Sequence, residues 1–183
     1  MRRLADRQYG LRVGFLRRGD DGPEGERYQM REKLLSIGDD YWIENGEGER
    51  AYKVNGKALR IRQTFVLEDT SGNEVARIQE RKLSIRDKVA IERQGDRVAT
   101  VHKALVGIRD RFAIDVDNGA DMKAKGNIVD HEYEIERDGD TVAEISKKWF
   151  RVRDTYGVEV APGEDAALVL AITVAIDSLT TRD

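Results

Sequence analysis

The chain has 183 residues, of which 37% are charged, with 32 Lys+Arg against 35 Asp+Glu and a formal net charge of -3. One domain is the natural expectation at this length, which can bury a sizeable core, and the near-balanced charge argues against a dedicated nucleic-acid binder. There is no cysteine, which removes disulfides, thiolate metal sites and cysteine nucleophiles together and fits a reducing, cytoplasmic setting.

Residues 1–27 are rich in Gly and Arg and lack a sustained period. They read as a flexible charged tail, without the apolar run of a signal peptide. The sharper reading is that the six Arg in the first 18 residues bind anionic lipid or nucleic acid. Regular patterning begins near Tyr28, and Met30 would serve as an alternative start.

From there the chain repeats. Gly48, Gly72, Gly95 and Gly139 are each followed, three and four residues on, by an apolar or small pair: Ala51-Tyr52, Val75-Ala76, Val98-Ala99 and Val142-Ala143. Val or Ile stands at six, and Ile or Val followed by Arg at thirteen and fourteen. Gly119 opens a shorter copy and Gly163 marks the next slot. Such a period means one supersecondary unit reused. Asn118-Gly119 and Asp138-Gly139 are strong hairpin dipeptides, because both central residues of a type I′ turn take positive φ. Gln94-Gly95 and Ser71-Gly72 are weaker ones. The flanks alternate apolar and polar at period two, as in YEIERDGDTVAEISK, so each unit is a β-hairpin. The alternation predicts about twelve strands, near 29–37, 40–45, 49–55, 64–69, 74–82, 87–93, 97–103, 109–116, 120–127, 131–137, 140–148 and 153–161.

The C-terminus differs. From Ala166 to Ile176 the one polar residue is Thr173. The run is too short for the ~20 residues of a bilayer-spanning helix. Pro162-Gly163 followed by Glu164 and Asp165 reads as a helix start. A helix near 164–179, apolar on every face, must be buried all round. A closed meander of twelve strands is wider than one filled by its own side chains, so the helix is predicted to plug it. Ala166, Ala167, Ala171 and Ala175 let it sit close to the wall. The alternative is an ordinary helix packed against a sandwich.

The segments YQMREKLLSIGDDYWIEN, KALVGIRDRF, GNIVDHEYEIERDG and KKWFRVRDTYGVEVAPGEDAALVLAITVAIDSL resemble the LURP-one-related family over roughly residues 28–180. The resemblance implies a tubby C-terminal-like barrel of twelve strands, kin to the phospholipid scramblases, around a central apolar helix. Tubby domains bind phosphoinositides at membranes, and scramblases are linked to calcium and lipid movement. The cysteine cluster and Pro-rich N-terminal region of many scramblases are absent here, and no lipid-binding residue of tubby is carried over.

Motifs for catalysis are missing: no GxSxG, HExxH, Walker loop or GxGxxG occurs. His102 sits in a predicted strand, in a slot that other repeats fill with Gln79 and Ser146. His131 follows Asp130 at a strand start. DVDNGAD, with Asp115, Asp117 and Asp121, is loosely spaced like a calcium loop but lacks the closing bidentate acid of an EF-hand. Asp154, Glu159, Glu164 and Asp165 border the helix start, where capping explains the last two and the resemblance suggests a partial calcium segment. Lys147, Lys148, Arg151 and Arg153, around Trp149 and Phe150, form the most basic stretch that also holds aromatics. Arg81-Lys82 with Arg86, and Lys57 with Arg60 and Arg62, occupy corresponding places. Gathered at one rim, these connections would meet lipid phosphates. Otherwise the Arg and Asp of each IRD pair across strands as a ladder.

The expectation is a mainly β, twelve-stranded closed antiparallel barrel over residues 28–183 enclosing the apolar C-terminal helix. Its function is expected to be non-enzymatic: a binding or membrane-tethering module for anionic lipid, or a protein-interaction scaffold. It needs no cofactor and no metal, has no nucleic-acid partner and no transmembrane segment, and is cytoplasmic or peripheral at the membrane. Lys147, Lys148, Arg151 and Arg153 are the candidate lipid-binding residues.

Overall fold

The computed structural model describes residues 24–31, 40–59, 62–81, 87–104, 111–150 and 154–180, with the side chains of 57–63 left aside. Twelve strands follow in order: β1 (Glu26–Arg31), β2 (Tyr41–Asn45), β3 (Arg50–Leu59), β4 (Arg62–Asp69), β5 (Glu74–Arg81), β6 (Lys88–Arg93), β7 (Asp96–Lys103), β8 (Arg111–Val116), β9 (Met122–Asn127), β10 (Glu132–Arg137), β11 (Asp140–Ser146) and β12 (Thr155–Val160). Each pairs antiparallel with its sequence neighbours, and β1 closes the ring on β12 with six residues in register. Closure removes the exposed edges that an open sheet would present.

The hairpins share one construction. The register shifts by a residue after Ile43, Leu67, Ile91 and Ile135, always one step before a Glu. A bulge of this kind bends the strand and sharpens its twist, so four equivalent bulges help the sheet curl into a ring. The turns repeat as well. The Asn45 side-chain oxygen accepts from the backbone N–H of Glu47 and Glu49, and Asp69 does the same for Ser71 and Asn73. At Gln94-Gly95 and Asp138-Gly139 both residues have positive φ, the type I′ signature. Asn118-Gly119 differs from that expectation: Asn118 has φ 63, but Gly119 stays outside the left-handed region. There Asp121 accepts from the Val116 backbone N–H at 2.9 Å and braces a longer turn.

Alternate residues of every strand face inward. Ile43, Val54, Leu67, Ile78, Ile91, Val101, Ile114, Ile135, Ile145 and Val158 are buried on that inner wall. Helix α1 (Ala166–Thr180) fills the lumen. Val169 to Leu179 are all buried, including Ala171 and Ala175, which have no side chain beyond Cβ to hold the wall away. Each large aliphatic side chain buried there contributes about 1.5–3 kcal/mol, so helix and barrel share one core. The helix plugs a closed barrel rather than flanking a sandwich.

The rim fixes where the helix enters. The Asp165 carboxylate accepts from the Leu168 backbone N–H at 3.0 Å, capping the first turn, and pairs with Arg93 at the end of β6. Glu164 does not cap. It makes a bidentate pair with Arg137 at the end of β10, at 2.9 and 3.0 Å. Two arginines from separate hairpins thus hold the helix start in place. Three element ends depart from the periodicity. β3 runs on to Leu59, where the alternation ends it at 55. The first strand lies at Glu26–Arg31, with 32–39 outside the described residues, and β11 stops at Ser146, where a 3₁₀ turn over Lys147–Trp149 begins.

Candidate functional site

That turn carries two of the four sequence-predicted lipid-binding residues. Lys147 and Lys148 occupy its first two positions, while Arg151 and Arg153 lie outside the described residues. Extended backbone at Ser146 lets its hydroxyl accept from the Lys148 backbone N–H at 3.2 Å. Glu132 on β10 organises the rest. Its carboxylate accepts from the Ser146 hydroxyl, the Lys147 backbone N–H and the Lys148 ammonium, at 3.0 to 3.2 Å. The Lys148 side chain remains 70% exposed, so the pair is a weak surface contact.

The aromatic half of the turn is set by a missing side chain. Gly157 faces outward on β12, between inward-facing Tyr156 and Val158. A Cβ there would lie 2.6 Å from a ring carbon of Trp149 and 2.8 Å from one of Phe150. Only glycine lets both rings lie flat on the barrel wall at this point. Arg27 on β1 places its guanidinium 5.5 Å from the Trp149 ring centroid and pairs with Glu159 at 2.7 Å. Cations and half-buried aromatics therefore share one outward ridge.

Next to the ridge runs a row of opposite sign. Glu134, Glu144 and Glu159 stand directly opposite one another across β10, β11 and β12. Partial burial, reinforced by Glu134, Glu159 and Glu132, pushes the Glu144 carboxyl above the ordinary glutamate range. Lys125 and Arg27 flank the row at its two ends.

The IRD ladder lies mostly outside the described residues, because Arg86, Arg109 and Arg153 do so. Lys82 and Arg60 lie outside them too, and the side chains of Lys57 and Arg62 are not described. The ion pairs seen between neighbouring strands are others: Arg27–Glu159, Arg81–Glu92, Arg97–Asp117 and Lys125–Glu136.

The calcium-like spacings are used up by other contacts. Asp117 takes both ends of Arg97, whose hydrogen bonds hold its carboxyl below the usual range. Asp121 braces the turn, and Asp115 lies 3.3 Å from His102. Glu159, Glu164 and Asp165 each hold an arginine, and Asp154 sits exposed in a turn at φ 60. Among the described residues no three His, Asp or Glu gather as a metal site.

His102 points outward from β7 as one more repeat position. His131 does not behave as one. It sits at φ 51 in the turn before β10, stacks on Tyr156 with 4.2 Å between ring centroids, and reaches Asp177 of α1 at 3.3 Å. Asp177 also accepts from the Tyr156 hydroxyl at 2.5 Å. Tyr41 and Tyr133 are buried close to the same carboxylate. Among the described residues the Tyr41 hydroxyl and His131 Nδ1 have no hydrogen-bond partner, while the Tyr133 hydroxyl has Thr173 of the helix beside it. Burial first, and the Asp177 charge second, push all three tyrosines well above the usual phenol range. Sequence reasoning missed this cluster. Asp177 looks there like the point where charge returns after an apolar run, and no local pattern links it to tyrosines on β2, β10 and β12.

Three comparisons with known proteins bear on identity. A solved X-ray structure of an Arabidopsis thaliana protein is similar, with 20% sequence identity, a TM-score of 0.63, and coverage of 84% of this chain and 91% of that one. At that identity the likeness shows the fold alone. No curated protein matches the chain. The family model described as LURP-one-related matches residues 26–177, from the first residue of β1 to the buried aspartate of the central helix. The chain belongs to the LURP-one-related family.

Proposed function

We propose that the protein is a non-enzymatic binding module that attaches to anionic lipid surfaces through the Lys147–Phe150 ridge, together with Arg151 and Arg153, which follow it in the sequence. The observation that carries this reading is the docking of Trp149 and Phe150 over Gly157, which sets Lys147 and Lys148 beside half-buried aromatic rings. Amphipathic aromatics with adjacent lysines suit the lipid headgroup layer, and each basic residue near an anionic surface adds about 1 kcal/mol. Among the described residues no helix is long and apolar enough to cross a membrane, so attachment of this kind would be peripheral.

The test is co-sedimentation with phosphatidylserine-containing vesicles. The reading expects binding that falls steeply with salt and is reduced roughly tenfold or more in a Lys147→Glu, Lys148→Glu double variant. Equal binding by the double variant would overturn it.

A second reading has its own support. The carboxylate row Glu134–Glu144–Glu159 favours a scaffold role, in which the wall receives a basic segment of a partner protein. That reading expects a Glu134→Lys, Glu144→Lys variant to lose protein partners that the Lys147→Glu, Lys148→Glu variant retains.

A further inference from the structure

The opposite side of the barrel carries a second charged feature. Arg81, Lys88 and His102 stand directly opposite one another across β5, β6 and β7. Arg81 and Lys88 are like charges on facing strands, an arrangement that destabilises a sheet. Two of the three have carboxylate neighbours: Arg81 pairs with Glu92 at 2.8 Å, and His102 lies 3.3 Å from Asp115. Lys88, in the middle and half-buried, has no ion-pair partner among the described residues.

Beside this row the wall is hollow. The next cross-strand row is Gln79, Ala90, Thr100 and Asp115. Ala90 faces outward but is 1% exposed, because longer side chains rise around it. Arg81, Lys88, Arg97, Thr100, Asp115 and Asp117 line the sides of this hollow, which is open to solvent and measures about 350 Å³. That volume suits a small ligand. Two walls are already fixed: Asp117 holds Arg97 by both ends at 2.7 and 3.2 Å, and Glu92 holds Arg81.

We propose that this hollow binds a small phosphomonoester bearing hydroxyl groups. The Arg81 guanidinium and the Lys88 ammonium take the phosphate oxygens, which gives Lys88 the anionic neighbour that Arg81 already has in Glu92. Arginine's fork matches phosphate geometry and lysine acts as a point charge. Across the floor, Asp115, Asp117 and the Thr100 hydroxyl accept hydrogen bonds from the ligand's hydroxyls. The hollow is therefore polar in one direction, cationic toward β5 and acidic toward β8. It lies on different strands from the Lys147 ridge and does not depend on the lipid reading of that ridge.

The experiment uses the full chain and calorimetric titration with glucose 6-phosphate, with glucose as control, beside flotation on vesicles of phosphatidic acid and of phosphatidylcholine. Two variants accompany it. Lys88→Gln removes a repelling charge and so should not lower the melting temperature. Ala90→Gln fills the floor without touching a charge. Loss of a charged hydrogen bond should weaken binding about tenfold or more. Binding of glucose 6-phosphate but not glucose, weakened in both variants, supports the proposal with a soluble ligand. Binding of phosphatidic acid vesicles alone, weakened in both variants, supports it with a lipid headgroup as the source. No binding in either arm overturns it. So does binding that both variants leave intact, and binding that only the Lys147→Glu, Lys148→Glu variant abolishes, which would instead favour the ridge.

Discussion

The Tyr156 hydroxyl donates to the Asp177 carboxylate at 2.5 Å inside the barrel, joining the strand that closes the ring to the last turn of the helix that fills it. An aspartate in the last turn faces the negative end of the helix dipole, and burial adds to the cost. The phenol and His131, at 3.3 Å, offset both. Tyr156→Phe leaves the carboxylate one donor short and should lower unfolding free energy by about 1–3 kcal/mol. Urea denaturation measures this as a lower midpoint at unchanged slope. A midpoint equal to wild type would mean that the hydrogen bond contributes nothing net.

The carboxylate row gives a pH prediction with a definite sign. Glu144 has a folded pKa raised above the ordinary glutamate value, by burial first and by Glu134, Glu159 and Glu132 second. The folded state therefore disfavours its charge, and the penalty is complete above the folded pKa and vanishes below the unfolded one. Glu144→Gln should raise stability near pH 7 by a few tenths of a kcal/mol, since the site is partly solvated. The gain should vanish as pH falls below the glutamate range, around pH 4. Asp165 has the opposite sign. Arg93 holds its folded pKa down, so its contribution is present above the ordinary aspartate value and is lost on acidification. Thermal melts of wild type, Glu144→Gln and Asp165→Asn across that range check both signs. A Glu144→Gln gain that persists in acid would contradict the electrostatic account.

The aromatic ridge depends on one glycine. Gly157→Val would place a Cβ 2.6 Å from Trp149 and 2.8 Å from Phe150, so both rings must leave the wall. The expected cost is about 1–3 kcal/mol, together with a red shift of tryptophan emission as Trp149 becomes solvated. Trp42 is the other tryptophan. It lies on β2 under Arg50, so a Trp42→Phe background isolates the signal. An unshifted spectrum would show that the rings do not rest where Gly157 leaves room.

Much of the architecture could be read before any coordinates. The period-two alternation around Gly48, Gly72, Gly95 and Gly139 located the hairpins, because side-chain direction in a strand is set by local parity. The run from Ala166 to Ile176 marked a helix buried on all faces, because composition alone excludes a polar side. Features that depend on distant pairing were out of reach. Gly157 reads as an ordinary strand glycine until Trp149 and Phe150 fold back over it. Asp177 reads as the end of an apolar run until β12 brings Tyr156 to it. The basic row Arg81–Lys88–His102 requires knowing the register of three strands. Glu164 was assigned to capping and instead holds Arg137, since a helix-start pattern does not reveal which arginine waits at the rim.

The most direct measurement of the central claim is flotation with phosphatidylserine-containing and neutral vesicles, at low and high salt. It compares the full chain with one starting at Glu24, which keeps β1 whole where a start at Met30 would remove most of it. The account predicts that both forms float with anionic vesicles only, that high salt releases them, and that the Lys147→Glu, Lys148→Glu variant fails to float. Flotation by the full chain alone would assign binding to the segment before β1. Flotation by neither form would contradict lipid attachment through the barrel wall.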